Sequence, residues 1–322
     1  MNQARPACGI DIGGTKIAGG VVDADGTILR QETVVSPATD STAIERAVAD
    51  LVAELGRDHD LCGVGVGAAG FVDKTGSTVM FAPNLAWRDE PLRRDLEQLT
   101  GLGVVVENDA NAAAWGEFRF GAASDADDLL MLTLGTGVGG GMVTDGELYR
   151  GGFGVAGELG HLRIERGGRP CGCGNLGCLE QYASGTALVR GVHEAAQRGV
   201  PGARILVERA GGDPAAITGP MVTEAALGGD RFALEHLADL GRWLGEGVAI
   251  VSAVLDPAVV LVGGGVAAAG DLLLDPAREV LASHLTGRGY RPEPELRVAV
   301  LGGEAGMIGA ADLARRRLVA PA

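Results

Sequence analysis

Residues 9–29 read GIDIGGTKIAGGVVDADGTIL, a pattern of strands and turns that the chain repeats later. Its order is strand, glycine turn, strand, Asp-Gly turn and strand, which is typical of an antiparallel meander. Residues 129–149, LLMLTLGTGVGGGMVTDGELY, follow the same order. This internal duplication predicts two related α/β domains separated by a cleft, with both glycine turns pointing into it.

Strands and helices alternate around the two repeats. Apolar spacing predicts a helix at residues 41–55, capped by Ser41 or Thr42, and a long helix at 232–255 that stops at Asp256-Pro257. The predicted small domain covers residues 1–110 plus a C-terminal helix at 304–322, and the predicted large domain covers 111–303. A Gly-, Pro- and Ala-rich segment at 199–220 is expected to be a surface excursion.

Composition excludes several classes of protein. The chain has 322 residues, 46% of them hydrophobic, which is too apolar for a disordered chain. A net charge of −15 disfavours nucleic-acid binding, which needs clustered positive charge. No apolar run reaches the roughly 18 residues that span a bilayer, so no membrane partner is expected. The first residues lack the pattern of an export signal, and a reducing cytoplasm is therefore expected.

The two Gly-Thr turns are candidate phosphate-binding loops. The sequence GTGVGG at residues 135–140 satisfies G-x-G-x-x-G, but a hairpin follows it where a dinucleotide fingerprint needs a helix. A Walker A loop near Asp11 also fails, because Thr15 stands between Gly14 and Lys16 and a meander follows instead of a helix. Backbone N–H groups and hydroxyls of the two turns could instead hold phosphates, with Asp11 binding Mg²⁺. The alternative is that both turns are tight hairpins that need glycine only for their conformation.

Three cysteines and a histidine form the most specific motif. Cys171, Cys173 and Cys178 lie in RPCGCGNLGCLE, and His161 precedes Cys171 by ten residues. A Cys₃His set suits tetrahedral Zn²⁺ in a closed structural site, with no open position for a catalytic water. The alternative, three buried thiols without a metal, fits poorly with so polar and glycine-rich a segment.

Two carboxylates flank this motif. Organising the loop around zinc would bring Glu158, Glu180 and the second ring nitrogen of His161 into one place. Carboxylates accept hydrogen bonds from vicinal hydroxyls and an imidazole N–H donates one, so this set could bind a polyol. Glu180 could otherwise be a solvated residue at a helix start.

Asn108 and Asp109 follow an apolar strand and precede a helical pattern. One interpretation is that Asp109 or Asn111 caps the helix. The other makes Asp109 a base that accepts a hydroxyl proton while Asn108 orients the acceptor. The two interpretations are compatible.

These motifs together resemble the ROK family of sugar kinases and repressors, especially its ATP-dependent glucokinases. The resemblance runs through DIGGTK at 11–16, ENDANAA at 107–113, LGTGVGGG at 134–141, GELGH at 157–161, the cysteine motif and LVGGG at 261–265. It implies the actin-like, hexokinase-type ATPase fold, with Asp109 as catalytic base. The sugar ligands that it implies are Asn108, Asp109, Glu158, His161, Glu180 and, less closely matched, Gly70.

The resemblance also implies ATP, Mg²⁺ and structural Zn²⁺. The residues expected to contact the nucleotide and its metal are Asp11, Gly13, Gly14, Thr15, Lys16, Thr136, Gly137, Gly264 and Gly265. The implied reaction is transfer of phosphate from ATP to the 6-hydroxyl of glucose, in glycolysis, by a homodimer or homotetramer. Kinases for mannose, N-acetylmannosamine or N-acetylglucosamine and polyphosphate-using glucokinases are alternatives. A repressor is disfavoured, because only ten residues precede Asp11 and the charge is strongly negative.

Overall fold

The computed structural model describes residues 5–319, in which strands and helices alternate. The strands are β1 (Ala7–Ile12), β2 (Lys16–Val22), β3 (Ile28–Val35), β4 (Val64–Ala68), β5 (Phe71–Val72), β6 (Val79–Phe81), β7 (Arg88–Glu90), β8 (Val104–Asn108), β9 (Leu129–Leu134), β10 (Val138–Thr144), β11 (Glu147–Leu148), β12 (Val259–Gly263) and β13 (Glu295–Val298). The helices are α1 (Ser41–Leu55), α2 (Leu92–Thr100), α3 (Asp109–Phe120), α4 (Glu180–Ala183), α5 (Gly185–Gln197), α6 (Arg204–Arg209), α7 (Gly219–Leu227), α8 (Arg231–Leu255), α9 (Asp271–His284) and α10 (Ala305–Val319).

Both halves of the chain build a sheet with the same strand order. The first sheet runs β3-β2-β1-β4-β8 and the second β11-β10-β9-β12-β13. In the first, β1 pairs antiparallel with β2 and parallel with β4, and β8 lies parallel to β4. When the five strands of each sheet are numbered in chain order, both sheets have the same spatial order: third, second, first, fourth and fifth strand. The predicted meander and the duplicated α/β architecture are therefore confirmed.

Helix α1 covers the predicted residues, but the predicted cap was wrong. Asp40 is the N-cap, and its side chain accepts a hydrogen bond from the backbone N of Ala43 at 3.1 Å. An aspartate one residue earlier supplies the same acceptor that Ser41 was expected to supply. Helix α8 begins one residue before the predicted start, also with an aspartate cap, Asp230, whose side chain accepts from Ala233 N. The expected surface excursion at 199–220 contains the short helix α6.

The contacts within the chain define two compact units. Unit 1 contains the described residues up to Leu129, Gly141–Gly157 and the described residues from Val300. Unit 2 contains Leu130–Gly140 and Glu158–Ala299. This division differs from the predicted boundary at residue 110, since α3 belongs with unit 1.

Helix α10 packs closely on the first sheet and on α3, all within unit 1. A Cβ atom on Gly9 of β1 would lie 2.0 Å from the carbonyl oxygen of Met307, and one on Gly65 of β4 would lie 1.8 Å from that of Ala310. On α3, a Cβ on Gly116 would lie 2.4 Å from the oxygen of Ala305. Glycine is required at these positions because the helix backbone occupies the space of a side chain. Among residues 5–319, no helix is both long and apolar enough to cross a membrane.

Candidate active site

Asp109 lies where β8 ends and α3 begins in unit 1. Asn108, and neither Asp109 nor Asn111 as predicted, is the N-cap: its Oδ1 accepts a hydrogen bond from Asn111 N at 3.0 Å. Asn108 has the extended backbone that an N-cap needs, with φ −63° and ψ 144°. Asn108 is thus the helix cap as well as the residue predicted to orient the acceptor. Asp109 is the first residue of α3, and its carboxylate is not used as the cap.

The structure brings three predicted sugar-site residues of unit 1 together. Asn108 Nδ2 donates to Asp109 Oδ1 at 3.0 Å and to the carbonyl oxygen of Gly70 at 3.1 Å. Asp109 Oδ1 also accepts from Ala110 N at 2.9 Å. A Cβ on Gly70 would lie 2.6 Å from the oxygen of Phe81, so the loop can approach only as glycine. These bonds fix the Asp109 side chain through one oxygen, Oδ1.

Burial dominates the electrostatics of Asp109. It raises the pKa of this carboxyl above its usual range, because a charge is costly away from water. Hydrogen bonds from the backbone N–H groups of Ala110 and Asp109 and from the Asn108 side chain oppose the rise, since they stabilise the ionised form. A desolvated carboxylate whose pKa is raised is a stronger proton acceptor than one in water.

Asp11, in β1, lies close enough to Asp109 to interact with its charge. Burial and the negative charge of Asp109 raise the pKa of Asp11 to about 6, while Lys16 lowers it. A Cβ on Gly306 of α10 would lie 3.6 Å from Asp11 Cγ and 3.8 Å from the backbone oxygen of Asp109. Two partly buried carboxylates beside each other suit a cation, which would relieve their repulsion.

The first glycine turn follows β1, the strand that contains Asp11. Gly13 N donates to the carbonyl oxygen of Lys16 at 3.0 Å and closes the hairpin. Gly14 is partly buried beside the Asn84 backbone, whereas Thr15 and Lys16 are exposed. The predicted turn residues of unit 1 therefore stand next to Asp11, with a hydroxyl and an ammonium group at the surface.

Unit 2 contains the second glycine turn and a cavity of about 640 Å³. Gly135 N donates to the oxygen of Gly137 at 3.0 Å, and the Thr186 hydroxyl donates to the oxygen of Thr136 at 2.6 Å. The cavity is lined by the turn, by α5, by the start of α7 and by the residues after β12, including Thr136, Thr186, His193, Gln197, Pro220 and Gly265. The lining is largely apolar with a few polar groups, as is usual for a small-molecule site.

Of the two predicted adenosine glycines, only Gly265 is among the residues that line this cavity. Gly265 lines it, and a Cβ there would meet nothing within 4 Å. Gly264 has φ +84°, and a Cβ on it would lie 2.5 Å from the oxygen of Leu134. It therefore allows the segment after β12 to pack against β9. The sequence did not indicate the α5 residues His193 and Gln197, because nothing local distinguishes a cavity-lining helix face from an exposed one.

His161, Cys171, Cys173 and Cys178 lie together in unit 2, with their four ligand atoms within 4.8 Å of one another. Cys173 Sγ lies 3.6 Å from Cys178 Sγ, and Cys171 Sγ lies 3.6 Å from His161 Nδ1. Tetrahedral zinc with Zn–S bonds of about 2.3 Å separates neighbouring sulfurs by roughly 3.8 Å. The donor set and its spacing therefore fit zinc. The other ring nitrogen, His161 Nε2, lies 3.8 Å from Glu158 Oε2.

Glu180 connects the cysteine loop to the second glycine turn. It is the first residue of α4, and its Oε2 accepts a hydrogen bond from Val138 N at 3.1 Å. Its Oε1 lies 3.7 Å from Cys171 Sγ. The carboxylate is therefore held inside unit 2 and is not the solvated helix-start residue of the alternative interpretation.

Two sheets of one strand order, each opening with a glycine-turn meander, define the actin-like, hexokinase-type class of ATPase fold. The chain belongs to the ROK family, whose model matches residues 7–317. It is 47% identical over 307 residues to a glucokinase of Streptomyces coelicolor, covering 95% of this chain and 96% of that one.

Solved structures agree with this assignment. A ROK family glucokinase from Streptomyces griseus, in complex with glucose and AMPPNP, is 49% identical, with a TM-score of 0.88 over 97% of this chain and 99% of that chain. The ROK hexokinase of Thermus thermophilus is 36% identical, with a TM-score of 0.77 over 95% and 96% of the two chains. The predicted family and fold class are confirmed.

Proposed function

We propose that this chain transfers the γ-phosphate of ATP to the 6-hydroxyl of glucose, giving glucose 6-phosphate and ADP. Asp109 supports this proposal most directly: it is a partly buried carboxylate, held by Asn108 at the end of β8, with its pKa raised. Relatives that match nearly the whole chain include glucokinases, and one of these was solved in complex with glucose and AMPPNP, an ATP analogue.

In phosphoryl transfer, the protein mainly positions the acceptor hydroxyl and neutralises the charge of the phosphates. Asp109 accepts the proton of the 6-hydroxyl as the new P–O bond forms. Asn108, bonded to the Gly70 carbonyl, orients the same hydroxyl. Further sugar hydroxyls bind to the carboxylates of Glu158 and Glu180 and to the Nε2 proton of His161.

The donor side uses both glycine turns. Gly13, Gly14, Thr15 and Lys16 in unit 1, and Thr136 and Gly137 in unit 2, supply backbone N–H groups, hydroxyls and an ammonium group for phosphate oxygens. The cavity lined by Gly265 receives the adenosine, with Gly264 shaping its wall. Asp11 fits Mg²⁺, because it is a partly buried carboxylate beside a second one, and bound Mg²⁺ supplies positive charge to the phosphates.

Zinc is part of the proposal as a structural ion. His161, Cys171, Cys173 and Cys178 would hold it, and a closed set of three thiolates and one imidazole offers no position for substrate. Bound zinc would fix the tautomer of His161 through Nδ1, which leaves Nε2 protonated and facing Glu158. The ring then donates a hydrogen bond to the sugar.

The cellular setting follows from the reaction. ATP, Mg²⁺ and reduced thiols are all found in the cytoplasm, where we place the enzyme, at the entry of glucose into glycolysis. A homodimer or homotetramer remains the expectation from the family resemblance.

Initial rates on a panel of sugars test the specificity. With ATP as donor we expect kcat/KM for glucose to exceed that for mannose, N-acetylmannosamine and N-acetylglucosamine, and polyphosphate to be a poorer donor than ATP. A higher kcat/KM for any of the other three sugars, or for polyphosphate, would reassign the substrate within the family. Absence of any sugar phosphate would favour a sugar-responsive regulator.

Acid should inhibit the enzyme in a magnesium-dependent way. Protonation of Asp11, whose pKa is raised to about 6, removes the charge that binds the cation, so kcat/KM for Mg·ATP should fall as the pH drops through about 6. Because Mg²⁺ and protons compete for this carboxylate, a higher Mg²⁺ concentration should move the acid limb to lower pH. The measurement is kcat/KM for ATP as a function of pH at low and at high Mg²⁺ concentration. If kcat/KM fell at the same pH at both concentrations, the proposed role of Asp11 would be contradicted.

A further inference from the structure

Glu107, the residue before Asn108, is a buried carboxylate that the proposed mechanism does not use. Its side chain is 4% exposed, and Arg150 Nε donates to its Oε2 at 2.6 Å. The Arg150 side chain is 18% exposed. An ion pair this buried is costly to desolvate, and apolar residues of similar size often stabilise a fold equally well. Because this ion pair lies beside the proposed base, a role in orienting that base would account for its energetic cost.

The second oxygen of Glu107 binds both sides of Asp109. Oε1 accepts from the backbone N of Asn108 at 3.2 Å and from Asn111 Nδ2 at 3.0 Å. Asn111 N in turn donates to Asn108 Oδ1. The end of β8 and the first turn of α3 are therefore joined by a closed set of hydrogen bonds, and Asp109 is the residue in between.

Arg150 extends this set to a second segment of unit 1. Its Nη1 donates to the oxygen of Leu148 at 3.3 Å, and its own carbonyl accepts from Ala156 N at 3.2 Å. Within that segment, Gly154 packs so closely on the end of β5 that a Cβ would lie 2.5 Å from the oxygen of Val72. Arg150 is thus itself held in place, and its guanidinium offers Glu107 a fixed donor.

We propose that Glu107 and Arg150 are positioning residues for phosphoryl transfer: their ion pair holds the Asn108–Asp109 turn so that the Asp109 carboxylate meets the acceptor hydroxyl. The proposal rests on the proposed sugar-kinase function. Neither residue touches the substrate, and they act through the backbone of Asn108 and the side chain of Asn111. A small displacement of a reacting group can reduce a rate by about 100-fold.

The test compares Glu107→Gln, Arg150→Met and Arg150→Lys with the parent. Glutamine keeps an acceptor oxygen, but its amide group then places a donor against Arg150 Nε. We expect kcat for glucose phosphorylation to fall by about 10- to 100-fold in Glu107→Gln and Arg150→Met, and by less in Arg150→Lys. KM for ATP should stay within about twofold, because the hydrogen bonds of Glu107 and Arg150 go to Asn108, Asn111 and Leu148, none of which is proposed to bind ATP.

Hydrogen exchange, measured by mass spectrometry without substrates, supplies a readout independent of activity. Amides of residues 108–111 should exchange faster in Glu107→Gln than in the parent, because the bond to Asn108 N is weakened. The matched control is Asp312→Asn, which breaks another buried ion pair of unit 1. Asp312 is 3% exposed, pairs with Arg315 at 3.0 Å and accepts hydrogen bonds from Trp115 and Arg119, which lie in α3 beyond its first turn.

The two hypotheses can fail separately. Parental exchange at 108–111 and parental kcat in both Glu107→Gln and Arg150→Met would overturn the positioning role alone. An equal loss of kcat in Asp312→Asn would also overturn it, since a general loss of stability would then explain the effect. A parent that forms no glucose 6-phosphate would overturn the proposed function, whereas faster exchange in Glu107→Gln would still support the link to the turn.

Discussion

Replacing Asp109 by asparagine is expected to lower kcat for glucose phosphorylation by about 10²- to 10⁴-fold, which is the usual contribution of a general base to the rate. The amide retains the size of the carboxylate, and its oxygen can still accept from Ala110 N and Asn108 Nδ2, so the turn should fold unchanged. What is lost is the proton acceptor. Removing a buried charge whose pKa is raised should also leave the free energy of unfolding equal or higher.

Binding measurements provide the control for this variant. Glucose affinity, measured by calorimetry, should change by less than about tenfold, since the other proposed sugar contacts remain. Thermal unfolding should confirm that the protein is intact. If Asp109→Asn phosphorylated glucose at the parental rate, Asp109 would not be the catalytic base.

Replacing Cys173 by alanine should remove zinc and weaken the sugar site. Cys173 is exposed, so the substitution opens no cavity in the core, and any effect comes from the lost ligand. We expect KM for glucose to rise by at least about tenfold, comparable to the loss when a metal's supporting shell is disturbed. KM for ATP should rise less, through Glu180, whose carboxylate holds Val138 N next to the second glycine turn.

Cys62→Ala is the matched control for zinc. Cys62 is a half-buried cysteine outside the cluster, and its loss should change neither metal content nor either KM. Zinc content is measured by atomic absorption, with about one ion per chain expected in the parent and in Cys62→Ala. Equal rises in both KM values in Cys173→Ala would mean that the metal supports the whole fold and not the sugar loop.

The fold was predictable because its decisive features are local. Glycine turns, period-two strands and their repetition at 9–29 and 129–149 are visible without any tertiary contact. Helix positions were also predictable, but caps were not: Asp40 and Asn108 compete with neighbouring Ser41 and Asp109, which are equally good candidates by residue type. Boundaries of the compact units depend on how α3 packs on α10, which no local pattern encodes.

The site was predictable where its chemistry is concentrated in short motifs. The four proposed zinc ligands and Asn108-Asp109 occur in such motifs, and the structure brings each group together. The ion pair of Glu107 and Arg150 was missed because the two residues are 43 positions apart and are ordinary charged residues in the sequence. The contact of Glu180 with Val138 was missed for the same reason, since it forms only when two distant segments fold together.

In the proposed reaction the new phosphate is on the 6-hydroxyl of glucose, the hydroxyl whose proton Asp109 accepts. The position of this phosphate can be read by phosphorus and carbon NMR after reaction with ATP and glucose, with 6-deoxyglucose as a parallel substrate. The account predicts a phosphate monoester on O6, one ADP for each, and no product from 6-deoxyglucose. Phosphate on another hydroxyl, or phosphorylation of 6-deoxyglucose, would contradict it.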